Sequence, residues 1–192
     1  MAPDSLAPTS APILLRDVSA GICTLTLNRP DQRNPLSDEM LDTLQTALDD
    51  IAPNPAIKAV ILTANGPVFS AGHDLKEVRA IADDYDKVHD LFQRCSRVML
   101  SVTRLPQPVI AKVQGTATAA GCQLVASCDL VMAAETAQFA TPGVNIGLFC
   151  STPAVAISRA IGRKHAMEML LSGDMFSAED AYRFGLINKF VS

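Results

Sequence analysis

The stretch Val109-Ile110-Ala111-Lys112-Val113-Gln114-Gly115-Thr116-Ala117-Thr118-Ala119-Ala120-Gly121-Cys122-Gln123-Leu124-Val125-Ala126-Ser127-Cys128-Asp129-Leu130-Val131-Met132-Ala133-Ala134 decides the fold class. Val109 to Val113 follows Pro106 and Pro108 and is a short apolar run, which reads as a buried strand. Gly121 to Ser127 reads as a short helix, and Leu130 to Ala134 as another strand. A strand, a loop of small residues, a helix and another strand in this order predict an α/β fold with a parallel sheet.

The same alternation extends outward in both directions. Upstream, Ala59 to Thr63 is a further apolar run, predicted to be a strand buried on both faces. Before it, Ser37 is placed to cap a helix whose apolar positions are Met40, Leu41, Leu44, Ala47, Leu48 and Ile51, until Pro53 and Pro55 stop it. Ile13 to Asp17 and Ile22 to Leu27 read as a hairpin turning at Ala20-Gly21. From Asp84 an amphipathic helix carries Tyr85, Val88, Leu91, Phe92, Cys95, Val98, Met99 and Val102 on one stripe. Downstream, Pro153 opens a helix running to Ile161. Ser177 and Asp180 form a capping box before Ala181 to Phe184, and Leu186 to Val191 reads as a last strand. With no internal repeat, one domain over 13–192 is expected, preceded by a flexible lead-in, residues 1–12, holding Pro3, Pro8 and Pro12.

The composition narrows the function. Hydrophobic residues make up 48% of the 192 and charged residues 19%, a globular balance that excludes disorder. No Trp and two Tyr leave little with which to stack bases, and 16 Lys+Arg against 20 Asp+Glu is the wrong sign for a nucleic-acid surface. No apolar run reaches the length of a membrane span, and residues 1–12 hold neither a signal-peptide core nor an Arg-rich leader. Five cysteines without a CxxC pair argue against a metal site and for reduced thiols, so a cytoplasmic setting is expected.

Two loops carry the candidate chemistry: Phe69-Ser70-Ala71-Gly72-His73-Asp74-Leu75-Lys76 and Gly115 to Gln123. Each places small residues between a buried strand and a helix, where backbone N–H groups can meet a ligand and stabilise an oxyanion. Small residues at a helix start also serve plain close packing, and on the residues alone both readings stay open.

The motifs FSAGHDLKE (69–77), VIAKVQG (109–115), TAAGCQLVASCDLVMA (118–133) and FATPGVNIGL (139–148) resemble the crotonase superfamily, that is, the enoyl-CoA hydratase/isomerase family. LNRPDQRNPLS (27–37), AVILTANGPVFSAG (59–72) and GRKHAMEMLLSGDMFSAEDAYRFGLINKFV (162–191) extend the likeness over nearly everything from Ile13 onward, and FATPGVNIGLFCSTP points to the domain-containing protein 3 subgroup. The resemblance implies a spiral of ββα units and an oligomer, a trimer or hexamer, built from copies of the chain. It implies an acyl-CoA or enoyl-CoA thioester as partner, in the lyase or isomerase chemistry of fatty acid metabolism, with coenzyme A entering as part of the substrate and no permanently bound cofactor. It puts the oxyanion N–H groups on His73 and Ala120, and the CoA contacts on Gln32, Arg33, Asp74, Leu75 and Lys76. Arg29 and Arg79 are further cations near those contacts, each equally readable as a solvated surface charge. The side chain of His73 is not needed for the oxyanion role, and its imidazole reads as a loop histidine near CoA rather than as a base.

Two departures follow from the same alignment of motifs. The two glutamates with which the family's hydratases deliver water fall on Gln123 and Gly143, neither of which can transfer a proton. An enzyme of weakened or altered proton transfer and a noncatalytic acyl-CoA-binding or oligomer-modulating protein are both compatible with that loss. Asn145, Cys150 and Ser151 are expected along the acyl pocket, with Cys150 buried and inert. Asp74 and Glu77 are expected to support a helix N-terminus, and Asp129 to make a structural contact. The family continues past the LINKFV strand into covering helices, so the C-terminal helical segment is expected to be absent or truncated here.

Overall fold

The computed structural model describes residues 11–192. Its elements are β1 (Leu14–Ser19), β2 (Ile22–Leu27), α1 (Asp38–Ile51), β3 (Ala59–Ala64), β4 (Val68–Ser70), α2 (Leu75–Ala80), α3 (Tyr85–Arg104), β5 (Val109–Val113), β6 (Thr116–Thr118), α4 (Ala120–Ala126), β7 (Leu130–Ala134), β8 (Gln138–Ala140), α5 (Ser151–Ala160), α6 (Arg163–Ser172), β9 (Phe176–Ser177), α7 (Ala178–Phe184) and β10 (Lys189–Val191). Six strands form one sheet in the order β1-β2-β3-β5-β7-β10, parallel except for the β1–β2 hairpin. Four short strands form a second sheet in the order β4-β6-β8-β9. A long strand in the large sheet, a short one in the small sheet and then a helix make one turn, and the turn repeats from β3, β5 and β7. This is the expected spiral of ββα units.

Local chemistry accounts for the element ends. Ala20 and Gly21 both take positive φ, +50° and +81°, as a two-residue hairpin turn requires. Ser37 Oγ accepts the Met40 N–H at 3.2 Å, and Asp84 Oδ1 that of Lys87 at 3.2 Å, capping α1 and α3. Ser177 and Asp180 exchange both bonds of the capping box. Of residues 1–12, only Ala11 and Pro12 fall among the described ones, and their carbonyls accept from Arg29 and Asn28.

The core lies between the helices and one face of the large sheet, where Cys23, Leu25, Val60, Leu62, Ala111 and Val131 are buried. The expectation of strands buried on both faces is therefore corrected. Residues of the other face, such as Lys112, Leu130 and Met132, are exposed, because the helices cover only one side. Tyr85 also leaves the predicted stripe: it sits in the first turn of α3, 79% exposed, and stacks on His89. The last strand is shorter than predicted, since the N–H groups of Leu186 and Ile187 turn back to the Ala181 carbonyl and close α7. Among the described residues no helix is long and apolar enough to cross a membrane.

Candidate functional site

The two small-residue loops meet. Gly72 has φ +91°, and a β-carbon built there would stand 2.9 Å from the Ala119 Cβ and 3.1 Å from the Ala120 nitrogen. Only glycine combines that dihedral with that approach. Thr118 Oγ1 donates to the Ala71 carbonyl at 3.1 Å and locks the loops side by side. Among the described residues, neither the His73 nor the Ala120 N–H finds an acceptor within the chain. Ala120 opens α4, where first-turn N–H groups have no intrahelical partner. Just before it, Ala119 is held at φ +50°, ψ −122°, a strained conformation for alanine. The arrangement is a pair of free backbone donors at adjoining loops.

The loop expected to hold CoA is tied to the first of these donors. Arg33 and Asn34 lie in the left-handed region, the Arg33 carbonyl accepts from Ala71 N–H at 3.0 Å, and Leu36 N–H donates to the Gly72 carbonyl at 2.8 Å. Gln32, Arg33, Leu75 and Lys76 are exposed, as residues meeting a long ligand must be. Asp74 Oδ1 accepts the Lys76 N–H at 2.8 Å and so caps α2, as its sequence position suggested. Glu77 instead accepts the first N–H of α1, at Asp38. The guanidinium of Arg29 donates to the carbonyls of Ala11 and Asn28. Asp129 is structural, accepting the Val109 N–H at 2.7 Å.

Sequence reasoning gave Asn34 no role of its own. It is fully buried, its Oδ1 accepts the Arg29 N–H at 2.7 Å, and its Nδ2 donates to the carbonyls of Asn65 and Val68 at 2.9 and 2.7 Å. It joins the 29–34 loop to the β3–β4 connection. The available signal was an asparagine between Arg33 and Pro35, since asparagine tolerates left-handed turns.

His73 packs its ring edge-on against Phe92, centroids 5.2 Å apart, with Nδ1 3.4 Å from the Leu36 carbonyl. Burial holds its pKa below the usual histidine value, against the raising effects of the Leu36 carbonyl and Asp38. Gln123 is nearly enclosed, 5% exposed, and among the described residues its Oε1 is buried without a partner.

Gly143 departs furthest from an acid/base position. A β-carbon there would lie 2.3 Å from the Leu148 carbonyl oxygen and 2.7 Å from Cys150 Sγ. The Leu148 N–H donates to the Gly143 carbonyl at 2.9 Å, so the segment 143–150 folds back over this glycine. The space a side chain would need is filled by the chain's own backbone and by a thiol. Cys150 is buried at the N-cap of α5, and its burial pushes the thiol pKa up, partly offset by the Gly143 backbone. Neighbouring Cys122 is pushed up to about 12, chiefly by burial. Protonated thiols are poor nucleophiles, which agrees with an inert Cys150. Asn145 donates to the Gly173 carbonyl at 3.3 Å.

With this geometry in place, the comparisons are specific. Residues 17–192 match the model of the enoyl-CoA hydratase/isomerase family. The zebrafish (Danio rerio) protein named enoyl-CoA hydratase domain-containing protein 3, mitochondrial, is 50% identical over 183 residues, covering 95% of this chain and 63% of its own. The Homo sapiens protein of that name is 50% identical over 171 residues, covering 89% and 56%. A solved structure named enoyl-CoA hydratase, from Mycobacterium smegmatis, superposes with TM-score 0.92 at 53% identity, covering 94% of this chain and 70% of the other. The human domain-containing protein 3 gives TM-score 0.89 at 48% identity, covering 94% and 71%. The chain spans about three-fifths of the length of the curated relatives it matches. These relatives carry the subgroup expected from FATPGVNIGLFCSTP. They also overturn the expected cytoplasmic setting, since these relatives are named mitochondrial. Reduced thiols argue only against an oxidising compartment, so cysteine usage did not distinguish the two. By the match over residues 17–192 and a shared spiral fold, the chain belongs to the enoyl-CoA hydratase/isomerase family.

Proposed function

We propose that this protein binds acyl-CoA thioesters, with the thioester oxygen received by the N–H groups of His73 and Ala120. The observation that supports the reading is the 3.1 Å between a β-carbon built on Gly72 and the Ala120 nitrogen, which sets the residue before His73 against the start of α4. Preorganised donors favour the negative charge that develops on that oxygen when the thioester enolises, typically by about 10²–10³ in rate per donor. Gln32, Arg33, Asp74, Leu75 and Lys76 border the loops that would follow the CoA portion, and coenzyme A enters only as part of this ligand. Arg33 and Lys76 are exposed cations suited to its phosphates.

Hydration by a pair of carboxylates has no side chains to perform it. Gln123 has no titratable proton, and Gly143 has no side chain and no room for one. A noncatalytic acyl-CoA-binding role is the second reading, favoured by that closure over Gly143. Solvent-facing Leu130, Met132 and Val191 on the large sheet support association with further copies of the chain, as a trimer or hexamer.

Thermal protection tests the reading. Butyryl-CoA is expected to raise the melting temperature of the wild type more than CoA does, and a Gly72→Ala variant is expected to lose that difference. Equal protection by CoA and butyryl-CoA in the wild type would remove the thioester oxygen from the account.

A further inference from the structure

The two free donors are anchored unequally. Ala120 opens α4, and the stretch from Ala120 to Val125 is buried, so core packing fixes its N–H. His73 lies between a pinned segment and a loose one. Upstream, the Ala71 N–H donates to the Arg33 carbonyl and the Gly72 carbonyl accepts from Leu36 N–H. Downstream the chain enters α2, and none of the 6 residues of that helix is buried. So short a helix does not hold itself together in water, and its place depends on ties to its surroundings.

Val78 gives α2 a partly buried contact with the core. The other tie is polar: Glu77 Oε2 accepts the Asp38 N–H at 2.9 Å. Among the described residues this is the one side-chain hydrogen bond from α2 to another element. Its far end is firm. Asp38 is the first residue of α1, which buries Met40, Leu41, Leu44 and Leu48, and its Oδ2 lies 3.0 Å from Nη2 of Arg94 on α3. The Asp38 N–H has no partner inside its own helix, so Glu77 meets a free donor at the positive end of α1. A hydrogen bond to a carboxylate is stronger than a neutral one. Play in α2 reaches the His73 N–H through Asp74, Leu75 and Lys76, and a donor weakens steeply once it leaves the line to its acceptor.

We propose that Glu77 is a positioning residue: through Asp38 it fixes the downstream side of His73 and so keeps that N–H aimed at the thioester oxygen. The inference rests on the thioester-binding reading above and adds the side chain that governs one of its two donors.

Calorimetric titration with butyryl-CoA and with S-butyl-CoA, the thioether that lacks the carbonyl oxygen, isolates the share of binding that the oxygen supplies. The wild type is expected to bind the thioester about tenfold more tightly, the size of one or two net hydrogen bonds. Glu77→Ala is expected to cut that ratio to about threefold or less, as the His73 bond is lost. Glu77→Gln keeps an acceptor of the same reach and is expected to restore most of the ratio. A purely structural role, felt through stability or through the CoA contacts of α2, would weaken both ligands alike. A wild-type ratio in Glu77→Ala would therefore overturn the proposal, and so would a Glu77→Gln protein that loses the ratio as fully as Glu77→Ala. Equal binding of thioester and thioether by the wild type would instead overturn the thioester reading on which it rests.

Discussion

The two halves of the candidate site are built from different materials. The donor half, His73 and Ala120, is made of backbone and is tightly specified by Gly72, by the Thr118–Ala71 bond and by strained Ala119. The proton-transfer half depends on side chains, and there the chain offers an amide at Gln123 and a glycine closed over by its own loop. On the function proposed above, the capacity to polarise a thioester and the capacity to add water to it would be separable within one fold: backbone geometry would supply the first, and two carboxylates would have to supply the second.

The largest effect should come from breaking the donor half. Gly72→Ala combines a forbidden φ with one contact under 3 Å and two at 3.1 Å, and a loss of about 2–5 kcal/mol in stability is expected in chemical denaturation, with loss of thioester binding. An alanine tolerated at that position would show that the loops are looser than drawn.

The proton-transfer half should resist repair. Gly143→Glu is expected to cost about 1–3 kcal/mol or more and to bring no hydratase activity, because the Leu148 carbonyl already occupies the path of the side chain. Adding Cys150→Ala relieves the thiol contact but leaves the carbonyl, so stability should return only in part. A stable, hydrating Gly143→Glu protein would mean that residues 143–150 open readily.

His73 belongs to the donor half by its backbone, and pH tests the packing of its side chain. Its pKa lies below 6.5 in the folded protein, so the unfolded chain binds the proton more readily, and stability contributed by the neutral imidazole is present above about pH 6.5. That stability is lost as the pH falls from there through the lowered folded pKa. A melting series from pH 7.5 to 5 should show a steeper decline for the wild type than for His73→Phe. Parallel curves would remove the imidazole from its packed place against Phe92.

The smallest expected effect is a gain. Gln123→Leu replaces an unpaired buried amide oxygen with a methyl group and should raise stability by up to about 1 kcal/mol, read as a higher denaturation midpoint. A loss of that size would mean that Oε1 has a partner, such as an ordered water.

Much of the fold was legible because its signals are local. Ser37, Asp84 and the Ser177–Asp180 box announce helix starts, and the β2, β5 and β7 runs have the predicted bounds. The three-residue strands β4, β6 and β8 are too short to show a period, and α6 lacks a long apolar stripe, so these were invisible, whereas α2 was legible only at its Asp74 start. An apolar run also does not say how many of its faces will be covered, which is why partly exposed Ala59, Ile61 and Thr63 were misread. In the site, the small residues and the missing carboxylates could be read from the motifs. Segment 143–150 lying on Gly143, and Asn34 bridging two loops, are tertiary arrangements without a sequence period.

Incubation of the wild type with crotonyl-CoA, following binding by calorimetry and the conjugated thioester by its absorbance in the same sample, tests the central claim most directly. The account predicts saturable binding with the absorbance unchanged. Steady loss of absorbance in proportion to the protein present would contradict it, showing that water is added here without carboxylates at positions 123 and 143.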